Sequence, residues 1–135
     1  MTFPFEVYTP HRHFYSDSAE AIVLTLVDGE AAVYAGHVPF SAPVIPCLLK
    51  IREKGGKWKT AFTSEGILEV TKEKTILISD AAEWPEEIDF ARAKAAKERA
   101  EDILKNSLLK FEKETATSAL KRANIRIKIR KDLES

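Results

Sequence analysis

Four arginines in this chain are spaced as if to meet one anion. Arg92 and Arg99 are seven residues apart, almost two helical turns, so on a helix they point the same way. Arg122 and Arg126 are four apart, one turn, and Arg130 continues their row. If the two segments fold as a helical hairpin, the four guanidiniums converge. Packed together they repel unless an anion lies between them, and guanidinium grips phosphate oxygens through paired, charge-assisted hydrogen bonds. The chemistry on offer is polyphosphate binding. The competing reading of the same spacing is a solvated basic face. Glu83 and Asp89 are carboxylates beside the cluster, able to accept a hydrogen bond or to orient an arginine.

No hydrolytic machinery accompanies these residues. Gly55-Gly56-Lys57 lacks the Gly-x-x-x-x-Gly-Lys-Ser/Thr spacing of a phosphate loop and opens no helix. No Ser/His/Asp arrangement is visible, and the single cysteine, Cys47, reads as a small buried hydrophobe. His11 and His13 could share a strand face, but no third ligand is nearby, so they read as an exposed polar strand or turn.

The elements that must position the arginines come next. Residues 1–90 carry 8 basic against 14 acidic residues, and residues 91–135 carry 13 against 7. A chain of zero net charge is therefore about −6 in front and +6 behind. The seam is Ile88-Asp89-Phe90-Ala91-Arg92-Ala93. Asp89 is a good N-cap, Ile88 and Ala93 occupy the two positions of a hydrophobic staple, and Arg92 falls at N3. The pattern predicts a first helix from about Asp89 to Lys105, a break at Asn106-Ser107 and a second helix from about Phe111 to Lys131. Ala116, Ala119, Leu120, Ala123 and Ile127 form its stripe. Seams this rich in alanine bury little area, so the hairpin should be only marginally stable alone.

In front of the seam, short runs separated by turn signals predict an antiparallel β-sandwich. The runs are Phe3–Thr9, Ala21–Val27, Val44–Ile51, Trp58–Ser64, Glu65–Val70 and Lys74–Ser79, with 81–87 as a connector. Pro43 and Pro46 push the third run toward a sheet edge or bulge. Pro85 disfavours helix at Trp84. The expected organisation is α+β: a β-sandwich over 1–86 and a two-helix tail over 87–135. With 44% apolar residues, no run long enough to span a membrane and no signal peptide, the chain reads as cytoplasmic.

Ile88-Asp89-x-x-Arg92-Ala93 resembles the nucleotide-binding motif of the ε subunit of bacterial F-type ATP synthase. The resemblance covers nearly the whole chain. Residues 29–39 are similar to the family's Gly-Glu-x-Gly-x-x-Pro-Gly-His-x-Pro loop, with Ala32 for a Gly and Ala35 for a Pro, so the resemblance implies a loop here. Residues 65–70 are similar to its Gly-Gly-x-Leu-Glu-Val, with Glu65 for the first Gly. The resemblance implies an ATP site of Glu83, Ile88, Asp89, Arg92, Ala93, Arg99, Arg122 and Arg126, with ATP as a regulatory ligand; a magnesium requirement is not specified. It implies that Glu30 and His37 face the membrane rotor ring.

The implied role is a non-catalytic subunit, peripheral on the cytoplasmic face of the bacterial membrane, with the γ subunit, the ring of c subunits and the catalytic α/β hexamer as partners. The tail would have two states, a hairpin closed by ATP and an open form whose basic second helix meets the hexamer and blocks wasteful hydrolysis. A structural coupling subunit without ATP sensing is the alternative. A nucleic-acid binder is disfavoured: the helices interleave acids, expose no stacking aromatics, and follow an acidic front.

Overall fold

The computed structural model describes residues 1–134 and divides into two compact units, Met1–Glu83 and a second from Trp84 onward. The first unit holds nine strands: β1 (Phe3–Tyr8), β2 (His13–Leu26), β3 (Gly29–Tyr34), β4 (Phe40–Val44), β5 (Cys47–Glu53), β6 (Trp58–Thr63), β7 (Gly66–Val70), β8 (Thr75–Ser79) and β9 (Ala82–Glu83).

The 14-residue β2 is the spine. Its Ala19 pairs with Phe3 of β1 and with Glu53 of β5, so those strands lie on opposite edges of it. Farther along, Ile22 pairs with Val33 of β3 and with Ile51 of β5. One edge of β2 is thus shared end to end by β1 and β3, the other by β5 and, at Leu26, β4. From β1 the hydrogen bonding continues through β8, β7 and β4 back to β2, which closes a ring of strands. Every pairing is antiparallel except β1 with β8, which is parallel. The interior is apolar and tight: Phe5, Val7, Ile22, Leu24, Leu49, Ile51, Phe62, Leu68 and Leu77 are almost fully buried.

Four sequence expectations need correction. β2 begins at His13, eight residues before the predicted run, because Ser16, Asp17 and Ser18 pair with β1 although they are polar. Residues 29–34 are strand, not loop: β3 pairs with β2 over its whole length. The single predicted run Val44–Ile51 is two strands. The chain breaks at Ile45-Pro46, leaving β4 paired with β7 and β5 with β2 and β6. Part of the predicted connector is β9, paired with the end of β6.

The second unit opens with Trp84 in extended conformation (φ −70°, ψ 154°), as Pro85 requires, followed by a 3-10 turn over Pro85–Glu87. Two helices follow, α1 (Phe90–Asn106) and α2 (Lys110–Glu134). The Asp89 carboxylate caps α1 by accepting from the Arg92 backbone N–H at 3.0 Å. The helices pack antiparallel through small side chains: Ala93 and Ala100 of α1 and Ala116 and Ala123 of α2 are buried. At the tip Leu108 and Phe111 are 95% and 79% exposed. No helix among the described residues is long and apolar enough to cross a membrane.

Candidate functional site

The arginines are placed by helix geometry. On α1, Arg92, Ala96, Arg99 and Ile103 are spaced four, three and four, so they form one stripe. On α2, Phe111, Thr115, Ala119, Arg122 and Arg126 form another. A groove of about 300 Å³ between the helices is lined by Ala96, Arg99 and Ile103 from the first stripe and by Phe111, Thr115 and Ala119 from the second. The two stripes therefore border the same side of the hairpin. Because the helices run antiparallel, Arg122 and Arg126 follow Ala119 toward the N-terminal half of α1, where Arg92 stands. The opposite side is different: its groove is lined by Lys94, Glu98 and Glu101 with Ile127 and Lys131, a mixed-charge surface.

The hairpin thus gathers Arg92, Arg99, Arg122 and Arg126 on one side. Arg92 and Arg99 are exposed, and Arg122 and Arg126 are half-buried. Arg130 departs from the row: its Nη1 donates to the Pro85 carbonyl at 3.4 Å and its Nε lies 3.6 Å from Glu134. Ile88 and Ala93 are buried, while Asp89 is exposed with Oδ1 occupied as the α1 cap. Glu83 belongs to the first unit, half-buried on β9 opposite Phe62.

The other expected pair, Glu30 and His37, sits at opposite ends of β3. Glu30 is exposed and pairs with Thr25 beside the β2–β3 turn. His37 is exposed in the turn after Tyr34, where Gly36 takes a left-handed φ of 80°. Its backbone N–H donates to Tyr34 and its ring Nδ1 to the Val38 carbonyl at 2.9 Å. His37 lines a groove of about 310 Å³ with Tyr34, Val38, Lys72 and Lys74. Sequence reasoning missed Lys72 and Lys74, because only the fold carries the β7–β8 turn to this place.

The Gly-Gly-Lys turn is closed to phosphate. The Gly55 N–H already donates to the Glu20 carboxylate at 3.3 Å, and the turn joins two strands. Among the described residues, no three His, Cys, Asp or Glu are grouped to hold a metal. His13 stacks on Tyr8 at 4.2 Å between ring centroids.

Comparison with known proteins now decides the family. Residues 2–85 match the β-sandwich domain of the ATP synthase delta/epsilon chain, and residues 86–131 match its long α-helix domain. The chain belongs to the ATP synthase delta/epsilon family. It is similar to the ATP synthase epsilon chain of Caldanaerobacter subterraneus subsp. tengcongensis, at 45% identity over 95% of this chain and 93% of the relative. That of Caldicellulosiruptor saccharolyticus is 47% identical over 94% and 92%. It is thus an epsilon-type subunit of an ATP synthase.

Two solved structures share the fold. A chain of the mitochondrial ATP synthase of Euglena gracilis superposes with a TM-score of 0.71 at 21% identity, covering 98% of this chain and 79% of that one. One from the Tetrahymena thermophila central stalk and c-ring gives 0.67 at 14% identity, covering 96% and 97%.

Proposed function

We propose that this epsilon-type subunit couples the rotor of a proton-translocating ATP synthase and senses ATP through its helical hairpin. What supports the second part is the helical spacing that turns Arg92, Arg99, Arg122 and Arg126 toward the side of the hairpin whose groove Arg99 lines, beside an alanine seam. Polyphosphate between the two stripes offsets their repulsion and ties α1 to α2. Ile88 and Ala93, both buried, anchor the start of α1 behind the base, and the Asp89 carboxylate accepts from its amino group. Asp89 keeps Oδ2 for this while Oδ1 caps α1.

The hairpin is the closed state. When ATP falls, the seam parts and the basic face of α2 turns to the catalytic α/β hexamer, where it inhibits hydrolysis. ATP and hexamer compete for the same arginines. At ATP about ten times its dissociation constant the closed state gains roughly 1.4 kcal/mol, enough to decide between states of similar energy. The subunit itself performs no chemistry. Its β-sandwich binds the γ subunit and, through Glu30 and His37, the c-ring, holding it peripherally at the cytoplasmic face of the bacterial membrane.

Isothermal titration of the purified chain with ATP tests the sensor. Binding by the wild type, weakened about tenfold or more in Arg126→Ala, is expected. An unchanged isotherm in the variant sinks the assignment. Absence of any heat in the wild type leaves the structural coupling subunit.

A further inference from the structure

We infer that the β5–β6 hairpin is a docking surface for an extended acidic segment of another subunit of the synthase. Five of the eight basic residues among the first 90 fall within residues 50–59: Lys50, Arg52, Lys54, Lys57 and Lys59. Only one acid, Glu53, stands among them. In a region with 14 acids, this is a sharply localised positive patch.

The fold holds the patch out and leaves three of its five charges, Lys50, Lys54 and Lys57, uncompensated among the described residues. β5 and β6 pair from Cys47 with Thr63 to Arg52 with Trp58. Gly55 and Gly56 both take left-handed φ values, 99° and 88°, which closes the turn tightly between Lys54 and Lys57. Two of the five are paired with carboxylates, Arg52 with Glu20 at 3.2 Å and Lys59 with Glu53 at 3.6 Å; Glu20 also accepts from the Gly55 N–H and Glu53 from the Tyr15 hydroxyl at 2.7 Å. Lys50, Lys54 and Lys57 are exposed and meet no carboxylate among the described residues.

Two further features select a peptide over other anions. β9 pairs only with Phe62 and Thr63, and Ala61 is buried, so Trp58 to Thr60 present an open strand edge among the described residues. Main-chain groups on that edge are satisfied by an added strand and not by a lipid headgroup. Trp58 is 46% exposed, but the Arg52 guanidinium lies 5.7 Å from its ring centroid and is itself paired with Glu20. Sinking that ring into a bilayer would drag a carboxylate with it, whereas an acidic strand crossing the edge leaves the pair in water and meets the lysines with its side chains.

The test uses the full chain with charge reversal at the turn, Lys54→Glu/Lys57→Glu. The probes are its cognate synthase stripped of this subunit and vesicles containing 30% phosphatidylglycerol, a composition of about one anionic lipid in three. Wild-type affinity for the stripped complex should fall steeply with salt, and the double variant should bind about tenfold or more weakly with a flatter salt dependence. Circular dichroism and ATP titration of the variant should match the wild type, which separates this surface from the arginine site. Equal affinity of variant and wild type for the stripped complex overturns the inference. So does lysine-dependent binding to the vesicles with the complex unaffected, which would assign the patch to lipid.

Discussion

Gly66 faces the Ile78 carbonyl so closely that a Cβ built on it would stand 2.0 Å from that oxygen and 2.9 Å from the Ser79 Cα. Its own φ is ordinary, so the requirement is space and not conformation. Gly66 pairs with Ser79 and with Val44, which places it between β8 and β4 in the ring of strands. Backbone cannot retreat as a side chain can. Gly66→Ala should therefore cost about 3 kcal/mol, the upper end for overpacking a filled interior. Chemical denaturation of the purified chain reads this directly; a loss below about 1 kcal/mol would mean the strands part without strain.

Tyr15 should make the first unit sensitive to alkali. Burial pushes its hydroxyl pKa well above the ordinary 10.0, and the hydrogen bond it donates to Glu53 pushes the same way. The unfolded chain loses this proton near pH 10 while the folded chain keeps it. The stabilisation is thus full below about pH 10 and is lost as the pH climbs beyond it. Urea unfolding between pH 8 and 11.5, about the range over which a free tyrosine titrates, should show falling stability in the wild type and a flatter curve in Tyr15→Phe. At neutral pH the variant should be weaker by about 1 kcal/mol for the lost hydrogen bond.

How much of this was legible before the fold was known depended on whether the signal was local. The α1 start was, because the Asp89 cap, the Ile88 staple residue and the extended Trp84 before Pro85 are each decided within a few residues. The arginine spacing was too, since one side of a helix is fixed by its period. Which side of the hairpin they share was not, because that needs the register of α1 against α2. In the sheet, β3 reads as a loop because residues 29–39 resemble a family loop motif, and Ala31-Ala32 carry no strand preference to oppose it. Its pairing with β2 along six residues overrides that. Pro46 signalled a bulge but marks the point where the chain leaves one neighbour, β7, for another, β2.

Asp89 caps α1 and is proposed to hold the nucleotide base, and substitution can separate the two. Its Oδ1 caps α1 through the Arg92 N–H. Asparagine caps as well as aspartate, whereas alanine does not. Asp89→Ala should lower hairpin stability by about 1 kcal/mol and reduce helical ellipticity, and Asp89→Asn should leave both near the wild type. If the second carboxylate oxygen also accepts from the adenine amino group, Asp89→Ala should weaken ATP by more than its effect on the helix. A loss of affinity no larger than the loss of stability would reduce Asp89 to a cap.

The alanine seam should control nucleotide binding without touching a nucleotide contact. Ala100, Ala116 and Ala123 are 2%, 3% and 1% exposed, so nothing larger fits without moving a helix. Ala123 neighbours Arg122 in sequence but points into the seam, while the arginine points to its side. Ala123→Leu adds three carbons there, and overpacking of this kind costs about 1–3 kcal/mol. Prying α2 from α1 also separates Arg122 and Arg126 from Arg92 and Arg99. The variant should bind ATP about tenfold or more weakly, show faster amide exchange in both helices, and regain protection at saturating ATP. Weak ATP binding with unchanged exchange would mean that the leucine acts on the site and not on the seam. Faster exchange with unchanged affinity would mean that the arginines do not need the closed hairpin to hold a phosphate chain.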